Sequence, residues 1–138
     1  MKVIIFFAAT FVLAECFRAR GIKASVTLVA KCEKPKDPHA RVFLMERDFG
    51  DSLFDEDDTL NFGNIYLGKK PEEKLQMTGI EAEYFGIEPY LVVVHSCNKD
   101  GDMERYTMDL EKGMETSSHF DVVLDLDKQQ HTISQSPL

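Results

Sequence analysis

The sequence lacks the features that define several large classes of protein. It contains no internal repeat and no low-complexity block, which argues against a solenoid or a disordered chain. Its longest mainly apolar run is twelve residues, residues 3–14 with Thr10 inside it, whereas a membrane-spanning helix needs about 20. There is no Asn-x-Ser/Thr sequon, so N-glycosylation is not expected. Gly-x-Ser-x-Gly, phosphate-loop and zinc-ligand spacings are also missing, and we expect neither a cofactor nor a metal centre.

Positive charge is scarce as well. The chain has 16 Lys and Arg against 24 Asp and Glu, a net charge of −8. Such a chain has no general attraction for nucleic acid or for anionic lipid. Any anionic partner would therefore need a local basic patch or a bridging cation.

The N-terminal residues have the pattern of a secretory signal peptide. Lys2 supplies a positive charge, residues 3–14 are apolar, and Ala14-Glu15-Cys16 is a small-x-small cleavage pattern. We expect a signal peptide over 1–16, a folded domain over 17–128 and a polar C-terminal tail over 129–138. Cleavage after Ala14 is an alternative, and a buried core segment is a third interpretation. The expected location is extracellular, with no membrane span.

The cysteine count agrees with that compartment. Cleavage after Cys16 leaves Cys32 and Cys97, an even number that suits one disulfide in an oxidising environment. Cleavage after Ala14 would leave Cys16 as an odd thiol. Two buried free thiols at Cys32 and Cys97 are the other alternative.

Beyond residue 22 the apolar residues alternate as they do in strands. The predicted strands are 22–32, 40–44, 60–67, 74–78, 90–97, 103–110 and 120–127. Alternation places one set of side chains in the core: Val26, Leu28, Leu91, Val93, Phe120, Val122 and Leu124. It places Asp121 and Asp125 outside. Seven short strands with turn signals between them predict an antiparallel β-sandwich, with 78–86 as the best candidate for a short helix.

Several segments resemble the nematode transthyretin-like family. VAKCEKP (29–35), ARVFL (40–44) and DSLFDEDD (51–58) are similar to its first half, and FDVV (120–123) is similar to its closing strand. The most specific segment is IEPYLVVVHSCNKD (87–100), which resembles the family pattern I-[ED]-P-x-L-x-[IV]-x-H-x-C. The resemblance covers most of residues 22–127.

This resemblance implies a signal peptide and an all-β, transthyretin-like (prealbumin-like) sandwich with one disulfide. One part of the family pattern is missing, because a Thr-Asp-x-x-Gly-x-Phe hairpin is replaced by YLGKKPEEKL at 66–75. Functions that use this hairpin are therefore not carried over. The family includes extracellular bridging molecules, but membership of a fold does not transfer function.

An acidic loop at 48–58 is the best candidate for a binding site. Its candidate residues are Asp51, Leu53, Phe54, Asp55, Asp57 and Asp58. The carboxylates could hold Ca²⁺, and the two apolar side chains could enter an interface. The alternative is a solvated, solubilising loop. His95 could serve as a metal ligand or general base, or it could be a buried histidine that donates to a backbone carbonyl.

These patterns favour a secreted, non-enzymatic binding protein that contacts an extracellular protein or a lipid. A carrier of small hydrophobic ligands is the alternative, by analogy with transthyretin. A hydroxyisourate hydrolase is a third possibility, but those enzymes close with a Tyr-Arg-Gly-Ser tail. This chain instead ends in Ser-Gln-Ser-Pro-Leu138.

Overall fold

The structure is a computed structural model, and it describes residues 20–48, 57–83 and 85–138. The described residues form eight strands and no helix. In chain order they are β1 (Arg20–Lys31), β2 (His39–Glu46), β3 (Asp58–Tyr66), β4 (Glu73–Glu83), β5 (Pro89–His95), β6 (Glu104–Asp109), β7 (Ser118–Asp125) and β8 (Gln130–Pro137). The predicted signal peptide lies outside the described residues.

The strands form two four-stranded sheets that pack face to face. One sheet has the order β4-β1-β7-β8, and the other has the order β3-β2-β5-β6. Alternate side chains of each strand enter the space between the sheets and form a single core. All seven side chains predicted to be buried are at most 1% exposed. The register predicted for the last predicted strand is therefore confirmed, and the all-β sandwich with it.

One pair of neighbouring strands departs from the antiparallel prediction. β1 and β7 run parallel, with Val26 opposite Phe120, while the other neighbouring pairs are antiparallel. Side-chain alternation defines which face a residue occupies, but not the direction of the adjacent strand. The pattern could therefore predict the faces correctly and still miss this pairing.

The helix predicted over 78–86 is wrong, because β4 continues to Glu83 and pairs with β1 along its length. Glycine at position 79 permits a close approach to β3 within this part of the strand. A Cβ added to Gly79 would lie 2.4 Å from the Cβ of Leu60. Strand pairing and this close contact therefore outweigh the local helical preference.

The polar segment 129–138, which we predicted as a C-terminal tail outside the domain, contains β8. It pairs with β7 from Ser118 opposite Pro137 to Asp125 opposite Gln130. Its side chains are exposed except for the half-buried Ile133. An edge strand of this kind is held by backbone hydrogen bonds rather than by burial, so it leaves no hydrophobic pattern in the sequence.

Candidate functional site

The two sheets are joined covalently at one end of the core. Cys32 directly follows β1, and Cys97 lies two residues after β5, so each comes from a different sheet. Their sulfur atoms are bonded, and their Cα atoms are 6.1 Å apart. The predicted disulfide is present. Among the described residues, the one group with metal-ligand spacing is Cys32, Cys97 and Asp127, but sulfurs bonded to each other do not act as thiolate ligands.

His95 supports this corner of the sandwich. Its side chain is 1% exposed, and its Nδ1 accepts a hydrogen bond of 3.0 Å from the backbone N–H of Cys97. Burial lowers the pKa of His95, so the ring is neutral near pH 7. The sequence analysis included a buried His95 among its interpretations, with the ring donating a hydrogen bond to a backbone carbonyl. In the structure the ring accepts a hydrogen bond from a backbone N–H through Nδ1 instead. The contact fixes the turn that carries Cys97.

The predicted acidic site is described only in part. Asp51, Leu53, Phe54 and Asp55 lie outside the described residues. Asp57 accepts a hydrogen bond from the hydroxyl of Tyr90, and burial together with Asp57 raises the pKa of Tyr90 to about 12.

The other described member of that site, Asp58, begins β3. It is exposed and lies opposite Glu46 of β2. The structure therefore attaches the end of the acidic loop to the β3-β2-β5-β6 sheet.

The outer side of the β3-β2-β5-β6 sheet carries a surface that the sequence analysis did not single out. We call this surface the apolar face and define it by five side chains that point away from the core: Phe43, Met45, Phe62, Val92 and Val94. Register places Phe43 between Phe62 of β3 and Val92 of β5. Phe62 is 68% exposed, whereas Val92 is covered by its neighbours. The sequence contains a signal for this face in residues 90–94, which are apolar at consecutive positions and therefore on both sides of the strand.

A shallow groove of about 230 Å³ crosses the apolar face. It is lined by Phe43, Met45, Thr59, Val92, Val94 and Arg105. Two larger depressions, of about 470 and 530 Å³, border the other sheet and are lined mainly by charged and polar side chains. The groove is therefore the concave surface with the most apolar lining among those described.

Two arginines stand at one end of this groove. Arg41 of β2 and Arg105 of β6 lie on either side of Val94 in a single row of the sheet. Neither forms an ion pair with a described residue.

A third arginine, Arg47, lies toward the other end of the sheet. Its guanidinium binds Asp109 at 2.7 Å and stacks over Tyr90. The groove thus has an apolar floor, and the two arginines at one end have no ion-pair partner within the part of the chain that the structure describes.

A buried carboxyl lies on the opposite, inner side of β2. Glu46 is 1% exposed; one of its oxygens accepts a 3.4 Å hydrogen bond from the backbone N–H of Glu88, and the other has no partner among the described residues. Burial, together with the negative charges of Asp48, Glu83 and Glu81, raises the pKa of Glu46 to about 7. This group could not be predicted from the sequence, because a charged residue is not expected at a strand position that alternates with Val42 and Leu44 into the core.

The outer side of the β4-β1-β7-β8 sheet is polar by comparison. Ser25 and Thr27 of β1 face outward, and Thr27 hydrogen-bonds the ring of His119 at 3.3 Å. This ring also contacts Asp121 at 3.3 Å. The apolar and polar outer faces distinguish the two sheets.

Comparison with known proteins agrees with this architecture. The chain is 39% identical to Transthyretin-like protein 2 of Caenorhabditis elegans over 87 residues, which are 62% of this chain and 55% of that protein. The match supports the nematode transthyretin-like family. The chain spans about half the length of this transthyretin-like relative. No protein-family model and no solved structure matches the chain. No helix of the described residues is long and apolar enough to cross a membrane.

Proposed function

We propose that this protein is a secreted, non-enzymatic binding protein that contacts a cell-surface protein or a lipid. The observation that supports this function is the apolar face, where Phe43 and Phe62 lie side by side on an outer sheet surface. Contiguous exposed apolar side chains rimmed by polar groups are typical of interaction sites. The transthyretin-like relative is consistent with binding, although the fold also occurs in enzymes.

Two features support secretion. The first is the charge and hydropathy pattern of residues 1–16, and the second is the Cys32–Cys97 disulfide. Disulfides of this kind persist in oxidising compartments and are rare in the reducing cytosol. The disulfide also adds a covalent link between the two sheets, which suits a small protein outside the cell.

A carrier of small hydrophobic ligands is the second candidate function. The groove on the apolar face favours it, because ligand sites are usually concave and mostly apolar with a few placed polar groups. In this function the groove, rather than a channel between subunits, receives the ligand.

Binding of labelled, disulfide-bonded protein to intact cells tests the main proposal. Phe62→Asp places a charge on the apolar face, and Ile80→Asp places the same charge on the outer side of the other sheet. Both positions are exposed, Phe62 at 68% and Ile80 at 64%, so both variants should fold. We expect Phe62→Asp to reduce attachment and Ile80→Asp to preserve it.

Equal attachment by the two variants and the unmodified protein would show that the apolar face is not used. Thermal unfolding of each variant provides the control for folding. The non-enzymatic part of the proposal is tested by incubating the protein with hydroxyisourate. Hydrolysis above the rate in buffer would contradict it.

A further inference from the structure

We propose that the groove on the apolar face binds a medium-chain carboxylate, which is a single-chain amphiphile with an anionic head group. Arg105 and Arg41 hold this head group. This inference rests on the proposed binding function in its carrier form. It adds the class of ligand, the site and the residues that select the ligand.

The dimensions of the groove suit one aliphatic chain. Its volume is about 230 Å³, below the roughly 300–1,000 Å³ of pockets that take drug-sized molecules. The floor consists of Val92 and Val94, and Phe43 and Met45 form one side. These side chains offer mainly hydrocarbon contact, and the sulfur of Met45 is already occupied by a hydrogen bond of 3.2 Å from the hydroxyl of Thr59. A linear chain fits this surface, whereas a large ring system exceeds its volume.

Charge determines the nature of the head group. Arg105 lines the groove, and Arg41 lies across Val94 from it. The acidic groups that the structure describes on this face are already engaged, since Asp109 forms an ion pair with Arg47 at 2.7 Å and Asp57 accepts a hydrogen bond from Tyr90. The two arginines thus form a local positive site in a chain of net charge −8. Guanidinium groups bind carboxylates through two parallel hydrogen bonds.

The same charge distribution favours a dissolved monomer over a membrane surface. A bilayer of anionic lipid presents many negative charges to the protein, whose own net charge is −8. The two surfaces therefore repel each other when they come close. A single dissolved carboxylate meets only the two arginines. The dissolved carboxylate is therefore the ligand that this site favours.

Binding of decanoate, below its critical micelle concentration, and of decanol, below its solubility limit, tests this site by calorimetry. Arg105→Gln removes the charge and keeps most of the side-chain length. Lys74→Gln removes an equal charge from the exposed surface of the other sheet. We expect Arg105→Gln to weaken decanoate at least about tenfold, since hydrogen bonds to charged groups are strong. Decanol should bind this variant as it binds the unmodified protein, and Lys74→Gln should change neither affinity.

A series from hexanoate to decanoate tests the apolar floor. Each methylene that enters the groove should tighten binding by up to about fourfold, until the groove is full. Arg41→Gln should weaken decanoate in the same sense as Arg105→Gln. Thermal unfolding of each variant, measured without ligand, separates a lost contact from a lost fold.

Three results would overturn the inference. They are decanoate binding that is unchanged in Arg105→Gln, affinity that does not depend on chain length, and binding to anionic vesicles without binding to decanoate. The last result would identify a membrane surface as the occupant. If decanoate does not bind while Phe62→Asp still prevents attachment to cells, the binding function stands and this inference alone fails. If neither effect is seen, both proposals fail.

Discussion

Replacing Glu46 by Gln should stabilise the protein at alkaline pH and have little effect in mild acid. The carboxyl of Glu46 lies between the two sheets, and the described groups that act on it are the backbone N–H of Glu88 and the negative side chains of Asp48, Glu81 and Glu83. No described cation compensates its charge in this position. Ionisation in the folded state is therefore unfavourable.

The size of the effect follows from the pKa. The folded protein holds the pKa of Glu46 at about 7, against 4.5 for an unperturbed glutamate. The folded state thus binds a proton that the unfolded state has lost between these values, so stability decreases as pH rises through this window. The contribution is fully present below pH 4.5 and is lost above pH 7, and the loss amounts to about 3 kcal/mol. Gln has the same shape and does not ionise.

Urea denaturation followed by circular dichroism, at several pH values from 4.5 to 8, measures this difference. The quantity of interest is the free energy of unfolding of Glu46→Gln minus that of the unmodified protein. It should increase by about 3 kcal/mol across the range. Glu115→Gln, the same substitution at an exposed position, provides the matched control.

Comparing the two proteins at each pH cancels the titration of every group that they share. A difference that stays constant from pH 4.5 to 8 would refute the reasoning, because the Glu46 carboxyl would then keep an ordinary pKa in the folded state. A difference that decreases with rising pH would also refute it. That result would mean that ionised Glu46 is stabilised by a positive group.

Four further predictions concern stability and lipid binding. Replacing Cys32 and Cys97 together by Ser should lower the free energy of unfolding by about 4 kcal/mol, because the disulfide spans 65 residues of chain; urea titration measures it, and an unchanged midpoint would contradict it. Leu91→Ala should cost about 2–5 kcal/mol in the same assay, since the side chain is fully buried. Gly79→Ala should cost about 1–3 kcal/mol, because the added methyl group meets a side chain of β3. Flotation with phosphatidylserine vesicles should show weak binding in chelator, and any stronger binding should require calcium at 48–58; strong binding in chelator at physiological salt would contradict the charge argument.

Much of the fold could be predicted from alternation alone. Strands such as 120–127 place Phe120, Val122 and Leu124 on one face and aspartates on the other, and the core follows directly from that pattern. The disulfide followed from counting cysteines. β8 and the parallel β1–β7 pair could not be predicted in this way, because both depend on backbone pairing between distant segments, which leaves no periodicity in the sequence.

The candidate site was harder to predict because it is assembled from four strands. Phe43, Phe62 and Val92 are ordinary strand residues when each is considered separately. Only register places them side by side, and only register places Arg41 and Arg105 around one valine. The acidic loop at 48–58 could be predicted as a candidate site because its residues are close together in the chain. Clusters within one loop are visible in a sequence, whereas clusters across a sheet are not.

The parallel pairing of β1 with β7 has a consequence for synthesis. All strands of the β3-β2-β5-β6 sheet are available once Asp109 has left the ribosome, but β1 is an inner strand of the other sheet and waits for β7 at Ser118–Asp125. Until then the nascent chain carries an unpaired edge along β1 and an incompletely covered apolar layer. Such intermediates are prone to association, which is one reason that chaperones exist. We therefore expect a chain that ends before residue 118, which has six of the eight described strands, to aggregate rather than fold.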